Sequence, residues 1–95
     1  MAAYVIVQET LTGDQAPFDE YRKHVIATFE PYGGKFLARG GRTEVLEGKA
    51  RARNVIIEFP SMEEALACYH SPEYTAARAI RQSVSDGEFI LVEGV

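Results

Sequence analysis

The chain has a single cysteine, Cys68. No disulfide can close within it, and such cysteine usage fits a reducing compartment. Positive charge is in deficit: 10 Lys and Arg stand against 14 Asp and Glu, for a net charge of -4. Phosphate binding requires a basic surface that releases counterions, so nucleic acid is not an expected partner. The first apolar run, Tyr4-Val5-Ile6-Val7, gives way to Gln8 and has no basic residues before it. It is too short for a secretory leader or a membrane span, so no membrane partner and a cytoplasmic location are expected. There are only 2 histidines. No Cys, His or carboxylate spacing suits a metal, and no cofactor is expected. The pairs Gly33-Gly34 and Gly40-Gly41 lack both a Gly-x-Gly-x-x-Gly pattern and a following Lys-Ser/Thr, so they do not read as a phosphate loop. No linker, repeat or low-complexity stretch divides the chain, which implies one domain over residues 1–95.

What is present reads as a globular domain, 46% hydrophobic and 25% charged. A chain of 95 residues buries a smaller share of its surface than a large one, so docking to a second copy would help it. Tyr4–Glu9 is β-branched and apolar, a strand. Pro17 suits the first turn of a helix, and Phe18, Tyr21, Val25 and Phe29 follow at helical spacing. That helix stops near Pro31, and Gly33-Gly34 turns the chain. Lys35–Arg39 is a second strand. Gly40-Gly41 is either a bend within it or the turn of a hairpin. The bend is the preferred reading, with Arg42–Glu47 continuing in extended form. Lys49, Arg51 and Arg53 then mark an exposed basic loop.

Asn54–Phe59 is the third strand, ended by Pro60. Ser61 and Glu64 have capping-box spacing and start a helix with Met62, Ala65, Leu66 and Tyr69 as its stripe. Ser71-Pro72 breaks that helix and caps another. Its stripe is Tyr74, Ala77, Ile80 and Val84, with Arg78 and Arg81 off it. Asp86-Gly87 reads as a turn before the last strand, Glu88–Glu93.

The order β-α-β-β-α-β makes an α+β, ferredoxin-like fold: an antiparallel sheet with its helices on one face. The other face would then need a partner. Strand residues alternate between faces. One set is nearly all apolar and is assigned to the helix side: Val5, Val7, Phe36, Ala38, Val55, Ile57, Phe59, Ile90 and Val92. The mixed set, Tyr4, Ile6, Gln8, Leu37, Arg39, Ile56, Glu58, Phe89, Leu91 and Glu93, is assigned to the partner face or an enclosed cavity.

Several stretches resemble the domain-of-unknown-function-1330 family, in that family's order. They are Tyr21-Arg22-Lys23, Pro31–Gly41, Leu46-Glu47-Gly48, Ile57–Pro60, the Tyr69-His70-Ser71-Pro72-Glu73-Tyr74 motif and Val92–Val95. The resemblance implies a dimeric α/β-barrel, two ferredoxin-like protomers packed through their sheets. It implies no activity, because superfamily relatives range from cofactor-free monooxygenases and isomerases to haem proteins and regulatory domains.

The residue types suggest a small-molecule site. Arg39, beside a glycine pair, can hold a carboxylate by two parallel bonds. The alternative is a structural ion pair with Glu58 or Glu93. His24 and His70 are the candidate general bases. As purely structural residues they would be a half-exposed helix position and a favourable cation at a helix C-terminus. Tyr21 and Tyr69 would line the pocket or serve as core aromatics. Cys68, among apolar neighbours inside a helix, reads as inert. The leading expectation is a homodimer binding a small organic molecule, anionic or aromatic, through Arg39, Tyr21, Tyr69, Glu58 and Glu93. A purely structural or regulatory dimer is one alternative. A cofactor-independent oxygenase or isomerase with histidine proton transfer is the other.

Overall fold

A computed structural model describes residues 1–95. The elements are β1 (Ala3–Leu11), α1 (Gln15–Phe29), a short 3-10 turn (Glu30–Tyr32), β2 (Lys35–Arg39), β3 (Arg53–Phe59), α2 (Met62–Tyr69), α3 (Pro72–Val84) and β4 (Ser85–Glu93). The strands form one four-stranded sheet in the order β2-β3-β1-β4, antiparallel throughout. The fold is thus α+β and ferredoxin-like, with the helices over one sheet face. No helix is long and apolar enough to cross a membrane.

Local chemistry sets the boundaries. Gly33 takes φ 77°, and its N–H closes on the Glu30 carbonyl at 3.0 Å, ending the first helical segment. Ser61 Oγ accepts from the Glu64 N–H at 3.1 Å and Ser71 Oγ from the Tyr74 N–H at 3.2 Å, so both serines cap as their spacing implies. Ser71 also donates to the Cys68 carbonyl at 2.7 Å, which fixes the break between α2 and α3.

Four expectations change. Residues 40–52 form a loop, so Arg42–Glu47 does not extend β2. That loop is tied down: Arg51 pairs with Glu88 at 2.8 Å and Asp86 at 3.4 Å, and Arg53 pairs with Glu9 at 3.0 Å. Arg51 and Arg53 are therefore bound to the sheet and are not loose loop cations. Asp86-Gly87 lies inside β4, opposite Thr10 and Glu9, because β1 is long enough to pair with it. A Cβ at Gly87 would run into the Gln8 carbonyl, so close strand approach explains this glycine. On α3 the buried face is Tyr74, Ala77, Arg81 and Val84, with Ile80 turned outward. Both spacings fit a helical period, and the long stem of Arg81 covers apolar surface.

Face assignment differs on two strands. Leu91 lies opposite Val5 and Phe89 opposite Val7, so Phe89 and Leu91 pack toward the helices. Ile90 and Val92 are the exposed pair. Both faces of β4 are apolar, so polarity could not select between them. On β2, Phe36 lies opposite Ile57 and Ala38 opposite Ile56, leaving Leu37 as an extra residue. This bulge turns Arg39 to Val55 and the helix side, and Ala38 to the open side.

The core lies between sheet and helices: Val5, Val7, Val55, Ile57 and Phe59 below, Phe18, Tyr21, Val25, Phe29, Cys68 and Tyr74 above. The opposite face carries a row of Ile56, Ile6 and Ile90 across three strands, flanked by Leu37 and Val92.

Cys68 is 1% exposed, and burial, assisted by Glu73, pushes its thiol up to about 11. An unfolded thiol ionises near about pH 8.5, so the unfolded chain loses this proton first and stability falls as pH rises from about 8.5 toward 11. Urea unfolding at pH 7.5 and 10 should show about 2 kcal/mol less pH-dependent loss in Cys68→Ala than in the parent. Equal losses in both proteins would contradict the buried-thiol account.

Candidate functional site

The polar part of the interlayer sits where α1 crosses β2, β3 and β1. Two cross-strand rows point up toward the helices there. Arg39, Val55, Val7 and Phe89 form one row, and Arg53, Glu9 and Gly87 form the next. Alternation along β1 continues from Val5 and Val7 to Glu9, which therefore lies under the helices and is 4% exposed. Arg53 Nε donates to Glu9 Oε1 at 3.0 Å, and the Arg53 guanidinium lies 5.5 Å from the Phe18 ring centroid. Glu9 Oε2 has no protein partner.

The bulge brings Arg39 into the same layer. Its guanidinium stacks over Phe36, 4.3 Å from the ring centroid, and Nη2 donates to the Arg22 carbonyl on α1 at 2.8 Å. Its Nε is buried without a partner. No carboxylate pairs with it. Burial, then repulsion from Arg22 and Arg53, lowers its guanidinium from the usual range. A charge held among like charges without a counterion favours an incoming anion.

Tyr21 reaches down from α1 toward the sheet. Its hydroxyl lies 3.3 Å from that of Tyr74, which ties α1 to α3. Burial, reinforced by the neighbouring Tyr74, raises Tyr21 well above the ordinary phenol range, and burial raises Tyr74 against the opposing pull of Arg81. Both hydroxyls stay protonated at neutral pH, so they can donate hydrogen bonds. Arg81 is 7% exposed, lies over Phe89 with its guanidinium 4.6 Å from the ring centroid, and makes no ion pair. A cavity of about 20 Å³ is lined by Glu9, Tyr21, Arg22, Arg39 and Arg53 together with apolar neighbours that include Phe36 and Phe89. Arg22 and Arg39 also line a wider depression of about 360 Å³ open to solvent, with Lys23 and Asp19.

Of the sequence-derived candidates, Arg39 and Tyr21 come together at this cavity. The other candidates lie elsewhere. Glu58 is on the open face, paired with Lys35 at 3.2 Å, and Glu93 is exposed near the end of β4. Neither glutamate pairs with Arg39: the bulge puts Arg39 on the other side of the sheet from Glu58, and Glu93 lies on β4, at the opposite edge of the sheet from β2. His24 is exposed on α1 and meets Glu20 at 3.2 Å. His70 is exposed, edge-on to Tyr69 with ring centroids 5.3 Å apart. Tyr69 packs on Tyr74 and Phe89 and is covered by Arg78. With His70, Tyr69 borders a separate groove of about 250 Å³ between α2 and β4 that is almost wholly apolar. No cluster of His, Cys, Asp or Glu side chains is placed to hold a metal ion.

Sequence reading missed Glu9, Arg53 and Arg81. For Glu9 a signal existed: it shares parity with Val5 and Val7, so a helix-side strand carries a carboxylate at its end.

Comparisons place this geometry among known structures. A protein of unknown function from Rhodopseudomonas palustris is 20% identical, with a TM-score of 0.79 over 99% of this chain and 82% of that one. SnoaB from Streptomyces nogalater, a cofactor-independent oxygenase, is 17% identical, with a TM-score of 0.69 over 99% and 93%. A dimeric protein of unknown function with a ferredoxin-like fold, from Bacteroides fragilis, is 16% identical, with a TM-score of 0.51 over 98% and 96%. At these identities the likeness is one of fold. No curated protein matches the sequence. The family model for the domain of unknown function DUF1330 matches residues 2–95, and the chain therefore belongs to that family.

Proposed function

We propose that the protein is a homodimer that binds a small organic anion at Arg39, on the helix side of the sheet. The observation that carries this reading is the state of Arg39. It is turned inward beside Arg22 and Arg53, donates only to a carbonyl, and has no carboxylate partner. Buried or half-buried guanidinium groups are normally paired. A carboxylate would supply the missing charge and accept two parallel bonds. The expected site at the sheet face thus moves to the opposite side of the sheet, between β2 and α1.

The dimer reading is supported by the open face. Ile56, Ile90, Leu37 and Val92 are 37%, 53%, 52% and 46% exposed on one side of the sheet. A contiguous apolar sheet face of this kind suits a second copy. The lone buried thiol is consistent with a cytoplasmic setting. Neither His24 nor His70 lines this cavity, so proton transfer by a histidine is not part of this reading.

Screening small carboxylates by thermal shift tests the anion site. At about ten times its Kd, a ligand adds about 1.4 kcal/mol. That is worth several degrees in a domain of this size. The shift should be present in the parent and absent in Arg39→Gln. A shift of the same size in the variant would place the site elsewhere. Solution sizing tests the dimer: Ile90→Glu, which puts a charge in the isoleucine row, should elute as a monomer at micromolar concentration where the parent elutes as a dimer. It should keep the carboxylate shift, because the two faces are separated by the sheet. A parent that elutes as a monomer, or a variant that still dimerises, would remove the open-face interface.

A further inference from the structure

Glu9 is the most buried charged side chain in the molecule, at 4% exposed. Its carboxylate is only half used. Arg53 holds Oε1 at 3.0 Å, while Oε2 has no protein partner. Across the same cavity Arg39 Nε is also unpartnered, and Tyr21 lines the wall between α1 and the sheet. A buried acceptor and a buried donor left unsatisfied are each costly, and native structures rarely keep such atoms without a use. The cavity of about 20 Å³ takes one small group. Two solvent-side depressions share its lining residues, one through Arg22 and Arg39, with Lys23 and Asp19, and the other through Glu9, Arg22 and Arg53.

The arrangement supplies donors from a guanidinium and a phenol, and one free carboxylate oxygen as acceptor. Its complement is a molecule rich in acceptors that has one proton to lose. A small 2-oxo acid meets this description: a carboxylate, a carbonyl, and an acidic C–H beside the carbonyl. We propose, resting on the anion reading above, that Glu9 is the catalytic base that removes this C–H proton from a 2-oxo acid held by Arg39. The C–H bond breaks and its proton goes to Glu9 Oε2. The bonding pair forms a C=C bond, and the carbonyl π pair moves onto oxygen to give an enolate. Arg39 and the protonated Tyr21 donate to the developing charge. Return of the proton from Glu9 restores the 2-oxo acid, so no oxidant or reductant enters. Arg53 is a positioning residue that fixes the carboxylate through Oε1.

Proton abstraction of this kind exchanges hydrogen with solvent. In deuterium oxide, the parent should replace the C3 protons of pyruvate or 2-oxobutyrate, followed by proton NMR, faster than buffer alone. Glu9→Gln keeps the side chain's size and should lose this exchange by at least about 100-fold. It should still show the thermal shift produced by the same acid. Glu9→Asp, which retains a carboxylate, should keep part of the exchange if Gln at this position fails to fold. Arg39→Gln should lose both shift and exchange. A thermal shift in the parent with exchange no faster than buffer overturns the role of Glu9 and leaves the anion site standing. No shift with either acid and no exchange overturns the 2-oxo acid site itself. Exchange undiminished in a folded Glu9→Gln assigns the base to another group and also overturns the proposal.

Discussion

The ladder between β2 and β3 carries one residue more on β2 than on β3. Phe36 and Ala38 lie opposite the consecutive residues Ile57 and Ile56, with Leu37 between them. Without that extra residue, Arg39 would follow Leu37 to the open face and meet Glu58's side of the sheet. With it, Arg39 enters the layer under α1, stacks on Phe36 and reaches the Arg22 carbonyl. A strand register fixes every side chain beyond it, so this single insertion decides which face of the sheet holds the cationic group. The candidate cavity, its separation from the open apolar face and the excess of positive charge inside it all follow from that turn.

The interior that results is unusual in how it handles charge. Arg39, Arg53 and Arg81 each lie over an aromatic ring, Phe36, Phe18 and Phe89 respectively. Such contacts stabilise a cation by about 0.5–2 kcal/mol and also keep its stem dry. Only Arg53 has an internal carboxylate partner, Glu9. The layer is therefore held together by aromatic packing and left short of negative charge. The two protonated tyrosines bridge α1 to α3 without adding any. A site short of counterions at its entrance and holding one half-free carboxylate inside is suited to an anion that presents a proton inward.

Much of the fold could be read from local chemistry. The capping serines at 61 and 71, the glycine turn after α1 and the β-branched runs at residues 4–9 and 54–59 each work through neighbours in sequence, and each appears where its chemistry puts it. What could not be read depended on partners far away in the chain. No residue type marks the Leu37 bulge. Phe89-Ile90-Leu91-Val92 is apolar on both faces, so only pairing with β1 shows which side is inside. Asp86-Gly87 carries turn chemistry, yet strand pairing with Glu9 and Thr10 prevails. Within the site, Arg39 and Tyr21 are legible as residue types, although strand alternation alone assigns Arg39 to the open face and the bulge turns it to the helix side. Glu9 and Arg53 were legible only as a cross-strand pair. His24 and His70 are candidates by their chemistry alone, and both lie at the exposed surface.

The central claim is the direction of Arg39, and NMR of the guanidinium resolves it most directly. With the arginine side chains labelled, Arg39 Hε and Hη protons should show nuclear Overhauser contacts to Arg22 on α1 and to the Phe36 ring. The Arg39 Hε should also be protected from solvent exchange. Contacts instead to Ile56 or Glu58, with rapid exchange, would put Arg39 on the open face and contradict the account.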